Sequence, residues 1–229
     1  MNKILMFLFD WSEVWAPLLP LIILIVFKPA GRNIRWLYYY VPFAFINNFI
    51  AIFVLEYAYL VPSSIRVGNN LFYNLHSFLM VILFTLYISG ELSKNKAKLL
   101  KLLLVVYSIF VLINFSFFES PILLSTRHFT IGSVILISVC FLYFFRTIMD
   151  DSEKNWLNQP SFIICSGLCL YEAITFFIFL FIYPLFDRHV NSDIAFAIKM
   201  MYVYEGIFVV FCVTLAVGLY RYRQLKVNA

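Results

Sequence analysis

Seven long apolar stretches fill almost all of this 229-residue chain, at about 14–27, 36–61, 69–90, 98–118, 122–146, 160–186 and 194–220. A bilayer core demands about 20 apolar residues per helical span. In lipid every backbone polar group must be satisfied internally, so only helices or a closed barrel can span. The runs are continuous and do not alternate with period two, which selects helices. At 63% hydrophobic and 13% charged, with a mean hydropathy of +0.91, the composition lies far from that of a soluble domain. The expectation is an all-α polytopic membrane protein, a single seven-transmembrane-helix bundle over residues 1–229. The first run is the shortest and extends back toward Trp11, with Asp10 and Glu13 expected at the lipid headgroups. Those two acids interrupt any signal-peptide pattern and no small-x-small cleavage site follows, so the segment is read as retained.

Basic residues give an orientation. With the amino terminus outside, the inner connections and tail hold Lys28, Arg32, Arg35, Lys94, Lys96, Lys98, Lys101, Arg146, Lys154, Arg221, Arg223 and Lys226. The outer side holds Lys3, Arg66, Arg127, Arg188 and Lys199. Lysine and arginine are retained on the cytoplasmic side, so the chain reads as N-terminus outside and C-terminus in the cytoplasm. Aromatic belts agree, with Trp36, Tyr38, Tyr39, Tyr40, Trp156, Tyr220 and Tyr222 at the inner boundary and Trp11, Trp15, Tyr57, Tyr59 and Tyr183 at the outer one. The net charge of +5 then reflects topology and anionic membrane lipids, with no need for a nucleic-acid partner.

Polar residues inside the spans carry the functional question, because burying them in lipid is costly unless they find partners. Asn47 and Asn48 of the second span fall near the midplane, as do Glu172 of the sixth and Glu205 of the seventh. Both glutamates follow a tyrosine, in Tyr171-Glu172-Ala173-Ile174 and Tyr204-Glu205-Gly206-Ile207, on consecutive antiparallel helices. The two carboxyls are therefore placed to face each other and share a proton. The same residues serve equally as interhelical glue.

A second polar group gathers toward the outer face. Asn69, Asn70, Asn74 and His76 open the third span, and Glu56 ends the second. Asn114 and Glu119 close the fourth span, Arg127 and His128 open the fifth, and Lys199 enters the seventh. A vestibule open to the outside, with Glu172 and Glu205 as its floor, would take a small-molecule ligand through Glu56, Asn74, His76, Arg127, His128, Glu172 and Glu205. Asn47, Asn48 and Asn114 form the accompanying intramembrane polar network. Asn70 and Asn74 share a helix face that His76 does not, so not all can line one cavity. The alternative is that outer-end polar residues simply meet headgroups and water.

No catalytic or cofactor motif stands out. Cys140, Cys165, Cys169 and Cys212 all lie within spans, and Cys165 with Cys169, four apart, read as small packing residues. His76, His128 and His189 show no paired spacing, so no metal site is expected. Asp150-Asp151-Ser152-Glu153 reads as a solvated loop. Protease signatures are missing. A retinal-binding reading fails because Lys199 sits near the outer end of its span, and a parallel-repeat transporter fails because Pro17, Pro20 and Pro42 have no counterparts in the fifth span or at the matching point of the sixth. No cofactor and no catalytic residue are therefore predicted.

The stretch Asn69-Asn70-Leu71-Phe72-Tyr73-Asn74-Leu75-His76-Ser77-Phe78, with Gln159-Pro160-Ser161-Phe162 opening the sixth span, resembles a group of uncharacterised seven-helix inner-membrane proteins of Bacteroidetes-type bacteria. That resemblance implies the helix count and location but no activity. Three function classes follow from the residues. The first is a receptor-like sensor or interaction subunit with an outward-facing polar pocket, signalling through a separate membrane or cytoplasmic protein partner. The others are a small-molecule or proton-coupled transporter and an intramembrane lipid-processing enzyme.

Overall fold

The structure, a computed structural model, describes residues 9, 11–31, 33–56, 69–149, 156–182 and 194–227. Lys3, Asp10, Arg32, Tyr57, Tyr59, Arg66, residues 150–154, Tyr183, Arg188 and His189 lie outside them, as does the side chain of Glu56. The described residues form helices α1 (Ser12–Trp15), α2 (Leu18–Phe27), α3 (Arg35–Glu56), α4 (Asn70–Ser89), α5 (Lys94–Ile113), α6 (Thr126–Met149), α7 (Pro160–Phe177) and α8 (Ile194–Val227). Helix α5 runs on into a π-helical turn, Asn114–Phe118, and α7 into another, Ile178–Ile182. Among the described residues, six helices are long and apolar enough to cross a membrane, and Ser12–Phe27 is a shorter apolar one. This is a helical bundle of the kind that makes a multi-pass membrane protein.

The predicted boundaries shift where local chemistry differs from hydropathy. The first span is broken, because Pro17 has no N–H to continue the ladder of α1 and the helix restarts with Leu21 N donating to the Pro17 carbonyl at 3.2 Å. Pro42 sits inside α3 without ending it. Helix α5 begins at Lys94, ahead of its apolar run, since lysines are good helix formers whose charged heads extend into water. Helix α6 begins at Thr126, later than the hydropathy suggests, because residues 120–125 are held as a loop by side chains described below. Pro160 occupies the first turn of α7, where its missing N–H costs nothing.

Neighbouring helices close a ring in the order α1–α2, α3, α4, α6, α7, α8 and back to α1–α2. Helix α5 stands outside it, packed chiefly on α4, and presents Leu99, Leu102, Val105, Val106, Ile109 and Leu112 outward. The seam between α7 and α8 is the tightest. Gly167 leaves room for the Thr214 side chain, and Gly218 for Ile164 and the Pro160 carbonyl. Small residues let membrane helices approach in this way where lipid supplies no hydrophobic drive between them. Inside the ring the core is aromatic: Tyr40, Phe84, Tyr87, Phe208 and Phe211 are all almost fully buried. Phe84 of α4 and Phe211 of α8 meet across the middle with ring centroids 5.7 Å apart.

Candidate functional site

Midway through the ring lies a polar centre enclosed by those rings. Ser133 of α6 donates to Glu172 Oε2 of α7 at 2.6 Å, with both residues buried. The Tyr171 and Tyr204 hydroxyls are 2.9 Å apart across the α7–α8 seam. The Tyr40 hydroxyl of α3 lies 3.1 Å from His76 Nε2 of α4. Tyr73 of α4 donates to Glu13 Oε2 at 2.7 Å. Glu13 is 8% exposed, so the headgroup position expected for it is corrected: the break at Pro17 leaves α1 packed against α3 and α8, turning the carboxyl inward. Glu172, Tyr171, Tyr204, Tyr73 and His76 line one cavity, with Thr175, Ser77, Met80 and Phe129. It leaves about 10 Å³ for the centre of a water molecule, which is room for a single water.

The facing residues differ from the simplest reading of the two Tyr-Glu pairs. Successive helical residues point about 100° apart, as 3.6 residues per turn require. Tyrosine meets tyrosine across the α7–α8 seam, while Glu172 turns toward α6. Glu205 is half-buried on α8 beside Tyr204.

The polar residues expected at the outer face form a different structure, a clasp. Asn74 Nδ2 donates to the carbonyls of Pro121 and Leu123 at 2.9 and 2.8 Å, and its Oδ1 accepts from Ser125 N at 3.1 Å. Asn114 Nδ2 donates to Glu119 Oε2 at 3.0 Å and to Ser125 Oγ at 3.1 Å, and Ser125 Oγ also donates to Glu119. Arg127, mostly exposed, pairs with Glu119 at 3.7 Å. His128 is fully buried, with Nε2 at 3.1 Å from the Asn74 carbonyl and Nδ1 at 3.0 Å from the Tyr107 hydroxyl. A carbonyl can only accept, so Nε2 carries the proton and the Tyr107 hydroxyl donates to Nδ1 of the neutral ring. Asn74, Asn114, Arg127 and His128 thus fasten the α5–α6 connection onto α4. Of the predicted ligand set, the cavity brings together His76 and Glu172.

Asn47 and Asn48 are buried latches. Asn47 donates to the Phe72 carbonyl at 3.0 Å and Asn48 to the Glu13 carbonyl at 3.1 Å, tying α3 to α4 and to α1. At the other end of the bundle is a third network that hydropathy reading overlooked. Tyr87 lies 3.1 Å from Ser161 Oγ and 2.9 Å from the Tyr222 hydroxyl, and Ser161 and Tyr222 are 2.5 Å apart. Tyr222 reaches Glu91 at 3.4 Å, and Asn33 donates to Glu91 at 3.0 Å. Tyr222 therefore turns into the protein and does not serve as a belt residue. The two Tyr-Glu pairs were the available signal for Tyr171 and Tyr204; nothing in the spacing marks Ser133, Thr175 or this third network.

Cys140 of α6 lies against Cys165 and Cys169 of α7, small side chains filling the α6–α7 interface. Among the described residues, no group of three or more His, Cys, Asp or Glu side chains is placed to hold a metal ion. In comparisons with known proteins, the chain matches no family model, no curated protein and no solved structure.

Proposed function

We propose that this chain is an integral inner-membrane sensor or interaction subunit, N-terminus outside and C-terminus in the cytoplasm, that signals through a separate protein partner. Counting the broken first segment it would cross the bilayer seven times. Ser12–Phe27 spans about 24 Å at 1.5 Å per residue, short of a core about 30 Å thick, so this segment would be the one that the rest of the ring holds in place.

One observation carries the reading. The polar centre brings every member of the ring to one water-sized space through separate hydrogen bonds, α1 to α4 and α3 to α4 on one side and α6 to α7 and α7 to α8 on the other. A change in one pair therefore bears on the two helices it joins and on the space they share with the others, which holds about one water. Phe84 and Phe211 separate this centre from the Tyr87–Ser161–Tyr222 network. That favours a responsive element over a conduction path.

Two buried carboxyls, Glu172 lining the void and Glu13 bonded to the void-lining Tyr73, favour a second reading, a proton-coupled carrier. One experiment separates the two. Wild-type protein and Glu172→Gln are extracted gently from their own membrane for native mass spectrometry, and reconstituted alone into proteoliposomes for proton and solute flux. A protein partner at fixed stoichiometry with wild type, altered in the folded variant, with no flux in liposomes, is the expected result. Glu172-dependent flux by the protein alone overturns the proposal in favour of the carrier.

A further inference from the structure

Among the described residues, Thr175 is the one cavity-lining hydroxyl that is both deeply buried, at 2% exposure, and without a hydrogen-bond partner. Leaving such a group unsatisfied costs the full desolvation of a donor and an acceptor. Thr175 lies three residues after Glu172, so the two side chains sit on the same face of α7 and border the same space. Glu172 Oε2 accepts from Ser133, which leaves most of the carboxyl's bonding capacity facing the void.

The tyrosine pair adds a further group. Tyr171 and Tyr204 carry two hydroxyl protons, and a single hydrogen bond between them uses one. The other points away from the pair, and both tyrosines line the cavity. The void thus has an open carboxyl, an unpartnered threonine hydroxyl and a spare phenolic proton around about 10 Å³. An internal water needs that volume and two to four polar partners.

We propose that one ordered water occupies this cavity, held by Thr175 Oγ1, the Glu172 carboxyl and the Tyr171–Tyr204 hydroxyl pair. It accepts from the phenol, donates to the carboxyl and pairs with Thr175, so it is the piece that connects the Ser133–Glu172 pair to the tyrosine pair. Helices α6, α7 and α8 are then joined by one unbroken hydrogen-bonded chain through the middle of the bundle. This inference stands independently of the signalling reading, since it rests only on the cavity and its lining.

The test is infrared difference spectroscopy on the full chain in lipid nanodiscs, in H₂¹⁶O and H₂¹⁸O, with the Glu172 carboxyl band assigned by its loss in Glu172→Gln. The expected result has three parts. An internal-water O–H stretch, resolved from bulk, shifts on isotope exchange. Thr175→Val removes that band and shifts the Glu172 carboxyl band, whereas Thr175→Ser keeps both. The Thr175→Ser sample and the wild-type isotope shift keep the test decisive if the valine variant fails to fold. No isotope-sensitive band in wild type, or no change in either band with Thr175→Val in folded protein, overturns the proposal. So does a shift of the Glu172 band on replacing choline chloride with sodium chloride, which would assign the cavity to a cation.

Discussion

The hydroxyls of Tyr171 and Tyr204 meet at 2.9 Å in the interior of the bundle, each one residue ahead of a glutamate on its own helix. The contact joins α7 to α8, the two helices that Gly167 and Gly218 let approach closely elsewhere along their length. Removing either hydroxyl leaves the other without its partner across the seam. Tyr171→Phe and Tyr204→Phe are each expected to destabilise the protein by about 0.5–1.5 kcal/mol. The double variant should reveal a coupling of about 0.6 kcal/mol, typical of hydrogen bonds between membrane helices. Reversible unfolding in bicelles, read as a double-mutant cycle, measures this, and strictly additive losses would count against a direct bond.

Ser133 and Glu172 make an asymmetric pair. Glu172→Gln keeps an acceptor for the Ser133 hydroxyl, so it should cost little stability. Ser133→Ala strips a buried carboxyl of its donor and should cost about 1–3 kcal/mol. The order of the two losses in the same unfolding assay is the check.

Asn74 uses all three of its side-chain hydrogen bonds on residues 121–125. Asn74→Ala should release that loop, raising amide hydrogen exchange across residues 120–126 with little change at the α7–α8 seam. Asn74→Asp keeps the acceptor for Ser125 N but loses both donations, so it should loosen the loop nearly as much. Exchange mass spectrometry with peptide resolution distinguishes this local opening from general unfolding.

The glycines of α7 and α8 separate by environment. A methyl at Gly167 would collide with Thr214, and one at Gly218 with Ile164 and the Pro160 carbonyl. Each alanine substitution should cost about 1–3 kcal/mol through overpacking. Nothing lies within 4 Å of a methyl built at Gly206. Gly206→Ala should be neutral or stabilising by up to about 1 kcal/mol, from helix propensity alone.

Hydropathy located every long helix because lipid solvation acts on the average of about 20 side chains, and local detail barely alters it. It was blind to what single polar atoms do. Glu13 looks like a headgroup residue until Pro17 breaks the helix and Tyr73 supplies a donor. Asn74, Asn114 and His128 are legible as important, because buried polar groups require partners, but those partners (loop carbonyls for Asn74, Glu119 and Ser125 for Asn114, the Asn74 carbonyl and Tyr107 hydroxyl for His128) stand where no spacing encodes them. Glu172 is legible from its depth in its span and His76 from the polar group that opens the third span, whereas Ser133 and Thr175 pass as ordinary small helical residues. Tyr222 was taken for a belt residue because an aromatic near a helix end fits the interface and a buried network alike.

The closed order of the ring bears on how the chain is made. Spans emerge from the ribosome one after another, yet α8 packs against α1–α2, and the Tyr171–Tyr204 contact also awaits α8. Until that last helix is in place, the half-built protein is an open trough with Glu13 and Glu172 along its inner wall. Truncation before α8 should therefore leave a membrane-inserted but unsealed intermediate, the natural substrate for quality-control proteases that recognise charged groups stranded in the bilayer.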